Sequence, residues 1–421
     1  MKSRKKILTL ISLILSLVML FSLAACSIWE KEAEDDGADY AVREEASEAG
    51  GDYYPASASH TTDTGSGPSD TSAPAPADAI YVDPGEAFVL TAGEWNDNDN
   101  WPFFTNLVNS GAISFPSYGI DPRGRIKVTL TDDSGIPLEG ESVVMSDDGG
   151  VLWTALTNKN GVAYLFYYDG ETPRTVSAGG ASAEISYESI PSDDAQSPSV
   201  MRASDEISLV GTSSAQKKTH LQVMFIVDTT GSMSDELTYL QKDFASIASD
   251  TGSDNITYSV NFYRDEEDEY VTKTNGFTSD VSEVSRLLMA EYADGGGDLP
   301  EAVAQILDET ITHNNDWSDE SRKLAFLIFD APPHSQYDAL IDEAVRSASQ
   351  RGIMMIPVVA SNADRDTELF GRALAICTNG DYVFLTDDSG VGESHLEPII
   401  GDYTVELLHD IIVRIINENK V

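Results

Sequence analysis

The sequence predicts an α/β protein whose doubly wound, mostly parallel sheet occupies residues 220–418, with a small β-sandwich and a disordered stalk before it. Three observations carry this reading. After residue 220, near-continuous apolar strands alternate with amphipathic helices, the pattern of a parallel sheet covered on both faces. Between 80 and 190, apolar residues alternate singly and turn signals recur at short intervals, as in a sandwich. From about 30 to 78 the chain is Glu, Asp, Ser, Ala, Gly and Pro, too polar to bury a core.

Composition bounds the rest. At 421 residues and 41% hydrophobic content the chain has material for two or three domains. The formal net charge is −45. Such a charge repels nucleic acid and anionic headgroups and excludes both as direct partners, while it suits divalent cations and basic surfaces. It also keeps an exported protein soluble, which accounts for most of these charges without a partner.

The first stretch, MKSRKKILTLISLILSLVMLFSLAAC, joins a basic start to an apolar run, the pattern of an export signal. Its end, Leu23-Ala24-Ala25-Cys26, resembles the bacterial lipoprotein box. That resemblance implies a signal peptide over 1–25, a diacylglycerol on Cys26, and an extracytoplasmic protein of the bacterial cell envelope, held to the membrane by its lipid. The competing reading is an uncleaved anchor, because the run approaches spanning length. Loss of the four basic residues of this segment leaves 22 basic against 71 acidic side chains, a charge of −49. Residues 26–79 then form an acidic linker, a self-repelling coil reaching roughly 40 Å at about 5–6 Å times the square root of its length. The other cysteine, Cys377, lies in the helical stretch ELFGRALAICTNG and reads as a small buried hydrophobe, so no internal disulfide between free thiols is expected.

In the sandwich region, 80–190, strands are expected in RIKVTL, VLWTALT, GVAYLFYY and ASAEISY, with turns at TDDSGIP and SDDGG. The phrase DDSGIPLEGESVVMSDDGGVLWTALTNKNGVAYLF resembles the carboxypeptidase-regulatory-like or transthyretin-like modules that serve as spacers in surface proteins. Ahead of it, NDNDN at 96–100 reads as a turn capping the helix NWPFFTNLVNSG rather than as a calcium loop. A polar linker is expected over 191–219.

The candidate chemistry lies in FIVDTTGSMSDE, 225–236. Asp228, Thr230 and Ser232 alternate along a loop at the end of the first strand of the α/β region, where an extended backbone points them the same way. One carboxylate and two hydroxyls are hard oxygens suited to Mg²⁺, Mn²⁺ or Ca²⁺ rather than zinc. Three groups do not complete a shell, so other loops must contribute. Asp298, in DGGGDLPEAV, and Asp330, ending LAFLIFD, fall where a doubly wound sheet brings them; singly, one reads as a helix cap and the other as a turn former.

On these residues the stretch from 221 to about 417 resembles a von Willebrand factor A domain of the hemicentin-like branch, a Rossmann-like fold carrying a metal-ion-dependent adhesion site. The family pattern D-x-[ST]-x-S matches Asp228, Thr230 and Ser232; its second-loop position matches Asp298 and its later aspartate Asp330. NFYRDEEDEYVT and LAICTNGDYVFLT fit as well. The resemblance implies a divalent cation, Mg²⁺ before Mn²⁺ or Ca²⁺, and a protein partner that completes the shell through an acidic side chain. Asp298 departs from the threonine many adhesion sites carry there, which leaves a site of formal charge −1 and weakens the acidic-group mechanism.

A strand followed by D-T-T-G-S is also shared with phosphoryl-transfer loops that use an aspartate nucleophile, here Asp228. That chemistry needs a Ser or Thr ending a second strand, then a lysine, then an acidic pair; here Asp298 precedes Lys323 and the next strand ends in Asp330, so the order fails. A hydrolase built on Ser232 and His334 lacks the G-x-S-x-G elbow. The expectation is therefore a non-enzymatic, membrane-anchored module for protein binding or adhesion through a cation, with a scaffold subunit of an envelope complex and a structural metal as the alternative.

Overall fold

The computed structural model describes residues 89–115, 118–190, 200–252, 254–297, 299–389 and 394–421. The expectations on the signal segment, Cys26, the stalk and Asp298 lie outside the described residues. The N-terminal part comprises β1 (Thr91–Trp95), α1 (Trp101–Asn109), β2 (Arg125–Thr131), β3 (Ser142–Ser146), β4 (Val151–Leu156), β5 (Val162–Phe166), β6 (Thr175–Ala178), β7 (Ala181–Glu184), β8 (Tyr187–Ile190), β9 (Val200–Ala203) and β10 (Glu206–Val210). The C-terminal part follows with β11 (His220–Asp228), α2 (Ser234–Asp250), β12 (Ile256–Tyr263), β13 (Thr272–Lys273), α3 (Val281–Ala290), α4 (Val303–Leu307) and β14 (Ser321–Phe329). It closes with α5 (Asp338–Arg351), β15 (Ile353–Val359), α6 (Arg365–Thr378), β16 (Tyr382–Thr386), β17 (Glu406–Leu407) and α7 (Leu408–Glu418).

The main sheet has the order β13-β12-β11-β14-β15-β16-β1-β17. Strands β12, β11, β14, β15 and β16 run parallel, while β13, β1 and β17 add antiparallel margins. The alternation in β11 explains its continuous apolar run. Leu221, Val223, Phe225 and Val227 pack with Leu237 and Phe244 of α2 and Ile411 of α7, whereas Met224 and Ile226 join Ile306 of α4 and Val345 of α5 on the other side. Buried on both faces from Val223 to Val227, the strand has no position for a polar residue over that run, Gln222 before it being satisfied by the 316–321 segment. It ends at Asp228. The chain steps from β11 to β12 on one side and later returns to β14 on the other, so the crevice at the carboxyl end of β11 is the topological switch point.

Two boundaries differ from the sequence expectation. The region from 80 to 190 is not one sandwich, because β1 belongs to the main sheet and pairs with β16 from Thr91 opposite Thr386 to Trp95 opposite Tyr382. A five-residue strand does not say in its own sequence which sheet will accept it. Here Gly93 decides: a Cβ at that position would meet the Phe384 ring at 2.3 Å, so only glycine lets the two strands lie together. The span 191–219 is likewise not all linker, since β9 pairs with β8 and β10 runs parallel to β2.

The NDNDN turn does precede α1, yet Asn100 supplies no side-chain cap; its amide donates instead to the Asn96 carbonyl at 2.9 Å. The turn fastens the N-terminal segment to the main domain. Asn96 donates to Asp381 at 2.6 Å, Asn98 to the Ile376 carbonyl at 2.9 Å, and Asp97 receives two 2.8 Å bonds from Arg372.

The remaining strands form a β10-β2-β5 sheet, a β4-β3-β6-β7 sheet and the β8-β9 pair. Their apolar residues, among them Val128, Val143, Leu165 and Val176, share one core with α5 and α6. Polar contacts with α5 reinforce that core. Trp153 donates through Nε1 to Ser349 Oγ at 2.9 Å, Tyr168 through its hydroxyl to Asp342 at 2.8 Å, and the Arg346 guanidinium lies 4.6 Å from the Trp153 ring. Among the described residues no helix is long and apolar enough to cross a membrane.

Candidate metal centre

Strand register brings the first two candidates together. Val227 of β11 pairs with Ile328 of β14, so Asp228 and Asp330 emerge one residue apart at the same end of neighbouring strands. Both are buried, and so is Thr230. The loop after Asp228 folds back on its carboxylate: Thr230 donates its backbone N–H at 2.8 Å and its hydroxyl at 2.7 Å, both to Oδ1. Ser232 Oγ lies 3.4 Å from Thr230 Oγ1 and is exposed at the mouth. The D-x-T-x-S spacing thus commits one carboxylate oxygen to shaping the loop and leaves Oδ2 facing inward.

A second loop closes over the first. Gly231 N donates to the Gly295 carbonyl at 3.2 Å and Asp294 N to the Thr229 carbonyl at 3.1 Å. Gly295 and Gly296 have φ of 80° and 65°, in the left-handed region, and a Cβ at Gly296 would stand 3.0 Å from both Glu301 Oε1 and Thr230 Cβ. The triple glycine lets backbone approach backbone where any side chain would fill the space.

That approach delivers a residue the sequence reading missed. Glu301 is buried, its N–H donates to the Pro332 carbonyl at 3.0 Å, and its carboxyl is near enough to Asp228 and Asp330 to feel their charge. The sequence reading allowed Asp298, taken singly, to cap a helix that follows it directly. The helix begins instead at Val303, Leu299–Pro300 is a cis peptide, and residues 308–312 form a π turn. Glu301 therefore belongs to the loop and not to a helix face. The available signal was an acidic residue closing DGGGDLPE, three positions beyond Asp298. Glu236 was missed as well: it is buried behind the site, with Oε1 accepting from Ser361 Oγ at 2.5 Å.

Electrostatics sets this cluster apart. Burial pushes the Asp228 carboxyl up, and Asp330 adds to the shift. Burial also raises Glu301, with Asp228, Asp265, Asp330 and Asp268 behind it, and raises Asp330, where the Ser232 hydroxyl opposes and Glu236 adds. No positive charge contributes to any of the three. Asp228 Oδ2, Glu301 Oε2, Asp330 Oδ1 and Glu236 Oε2 are buried oxygens without a well-formed hydrogen bond among the described residues. The groups that oppose the build-up of negative charge are neutral, among them the hydroxyls of Tyr263, beside Asp228, and Ser232, beside Asp330. Buried anionic oxygens without well-formed hydrogen bonds or counter-charge are costly unless a cation compensates them.

Among the described residues no set of three or more His, Cys, Asp or Glu side chains closes into metal-ligand geometry. The described donors are carboxylates mixed with the hydroxyls of Thr230 and Ser232, and Asp298 lies outside the description. The donor chemistry nonetheless fits a hard divalent cation, for which the orphaned oxygens of Asp228 and Asp330 are the natural first ligands. His334 faces away from this role, with Nε2 2.7 Å from Asp265 Oδ1 and no contact to Ser232.

Residues 222–391 match the von Willebrand factor A domain family. This stretch is a von Willebrand factor A domain. It runs from β11 past β16, so the described candidate ligands all lie inside it. Domains of this family commonly mediate protein–protein interaction and adhesion and often bind a divalent cation at an adhesion site. The chain is also 26% identical over 211 residues to an ariadne-like RING finger protein of Acanthamoeba polyphaga mimivirus. That likeness covers 45% of this chain and 20% of the relative, so the chain spans about a fifth of the relative's length.

Proposed function

We propose that the von Willebrand A domain of this protein is a non-enzymatic module that captures a protein partner at a divalent-cation site. The observation that carries the reading is the set of buried carboxylate oxygens, uncompensated by any positive charge, at the switch point of the sheet. Thr230, Ser232 and Asp330 would hold the cation with Asp228, directly or through water, and Asp298 and Glu301 would add charge. A bound cation supplies positive charge and an open coordination position at the loop mouth. With so many carboxylates around one ion the site stays negative, so a neutral oxygen or a basic surface on the partner is favoured over a carboxylate. The exposed Glu267 and Asp294 in the neighbouring loops extend that negative rim.

The same reading places the domain outside the cytoplasmic membrane, tethered through Cys26, with the β module as its spacer. The LAAC box supports this, and Cys26→Ala would leave an unprocessed precursor if it holds. One observation favours a second reading, a scaffold subunit whose metal is structural: with Glu301 in the cluster, the chain offers enough donors to close a shell without a partner.

A pull-down from surface extracts with and without chelator, using wild type and Asp228→Ala, separates them. Capture lost with chelator and with the variant is the expected result. Capture indifferent to both would leave only the scaffold reading.

A further inference from the structure

At the opposite end of the main sheet from the metal centre, the β module and the von Willebrand A domain enclose a cavity of about 60 Å³. Its walls come from β4 and the turn after it, from the start of β14, from the end of α5 and from the segment leading into β11. Lys159, Lys218, Arg322, Lys323 and Arg351 line it, against a single carboxylate, Glu139. The whole chain has 26 basic and 71 acidic residues, so five cations around one small cavity run against the composition. Arg322 is matched: its Nε lies 2.6 Å from Glu139 Oε1 and its Nη2 3.0 Å from Oε2. The other four are not. Lys323 reaches only the solvent-exposed Asp319 carboxylate, at 4.0 Å, and Lys159, Lys218 and Arg351 have no carboxylate in ion-pair contact among the described residues.

These cations bond to backbone carbonyls. Lys159 donates to the Glu418 carbonyl at 2.6 Å, Lys218 to Asp319 at 2.8 Å, Lys323 to Arg351 at 2.8 Å, and Arg351 to Ile311 and Asn314 at 2.6 and 2.7 Å. An ammonium has three donors, so each lysine retains unused capacity. Lys323 is the extreme case, with a side chain only 2% exposed. Burial pushes its ammonium down to about 8, and Lys218 beside it pushes the same way. The rest of the wall mixes apolar side chains, Leu156, Met354 and Cys377 among them, with neutral polar ones such as Thr157, Ser349 and Thr378.

We propose that this cavity is a binding site for a small aliphatic carboxylate, its head on Lys218 and Lys323 and its short tail against Leu156, Met354 and Cys377. The head supplies the negative charge that the buried Lys323 and the half-buried Lys218 lack. The volume sets the size, since at about 10–15 Å³ per water-sized atom the cavity takes roughly four to six non-hydrogen atoms, the range from acetate to butyrate. Because both halves of the molecule line the cavity, an occupant would tie the β module to the von Willebrand A domain.

The test is calorimetric titration of sodium butyrate into the full chain at neutral pH, with ionic strength held constant by sodium chloride. One saturable site is expected, with a dissociation constant near or below about 1 mM. Butyramide, the neutral isostere, should give no saturable heat. Lys323→Met should weaken butyrate at least tenfold, and Lys218→Met, whose side chain is less buried and whose loss spares the core, should do the same if Lys323→Met does not fold. The proposal is overturned by the absence of saturable heat, by inorganic phosphate binding as tightly as butyrate, or by unchanged affinity in a folded lysine variant.

Discussion

Asp97 and Glu368 are as deeply buried as Asp228 and Asp330, but the two pairs meet different surroundings. Arg372, with a fully buried guanidinium, donates to both oxygens of Asp97 at 2.8 Å and to Glu368 Oε1 at 3.2 Å, while Arg365 pairs with the other oxygen of Glu368. Around Asp228 every neighbouring charge is of like sign and buried oxygens lack a well-formed hydrogen bond among the described residues. The first cluster is complete within the chain and joins the β1 segment to α6. The second is incomplete within the described residues, so its carboxylates act as ligands in waiting rather than as fasteners. Burial alone therefore does not mark a functional carboxylate; the missing counter-charge does.

The comparison breaks most visibly at Arg372. Removing it as Arg372→Leu strands Asp97 and Glu368 as buried uncompensated charges, for which about 3–5 kcal/mol of destabilisation is expected. Urea denaturation of wild type and variant reads this directly, and a loss under 1 kcal/mol would mean that the arginine cluster is no more a fastener than a surface pair.

The opposite manipulation, adding positive charge to the Asp228 cluster, should stabilise. Excess Mg²⁺, Mn²⁺ or Ca²⁺ at a hundred times its dissociation constant should add about 2.7 kcal/mol, because it binds only the folded state. Thermal melts with each cation should show the gain in wild type and not in Asp228→Ala. An equal response in the variant would place the ion elsewhere.

A smaller effect concerns pH. Asp228, Asp330 and Glu301 have folded-state values above the ordinary carboxylate range, so their neutral forms are favoured by folding. That stability is fully present below the unfolded carboxylate values and is lost as pH rises through the folded ones, the highest being Glu301 at about 9. In chelator the chain should thus lose stability between pH 4 and 9, whereas saturating cation should reverse the trend, since the ligands bind deprotonated. Glu301→Gln should exceed wild type in chelator at neutral pH by on the order of 1–2 kcal/mol, and melts across pH that coincide for the two proteins would remove Glu301 from the cluster.

The smallest expected change is at Asp298. If it lends charge to the cation, Asp298→Thr should lower cation affinity several-fold while leaving the cation-free fold intact, because threonine is also an acceptable loop and cap residue. Equal affinities in calorimetric titration would exclude Asp298 from coordination.

The sequence by itself determined the parallel sheet, since β11, β14 and β15 are apolar on both faces and only a doubly covered sheet accommodates such strands. It also determined which residues make up the D-x-T-x-S loop, although the extended backbone expected through Ser232 is replaced by a 3-10 turn over Gly231–Met233, and the strand-end positions of Asp228 and Asp330 followed from where the apolar runs stop. Glu301 was not legible in this way: its role depends on the 294–297 glycine loop crossing onto the Thr229–Gly231 backbone, a contact between segments about 65 residues apart in sequence. The membership of β1 in the main sheet was hidden for the same reason, because a short strand carries the same alternation whichever edge receives it. So was the pairing of Asp97 with Arg372, 275 residues away. Local chemistry is written in residue order and can be read from it, whereas the sign of the charge facing a buried carboxylate depends on which distant segment the fold sets against it, and only the tertiary structure decides that.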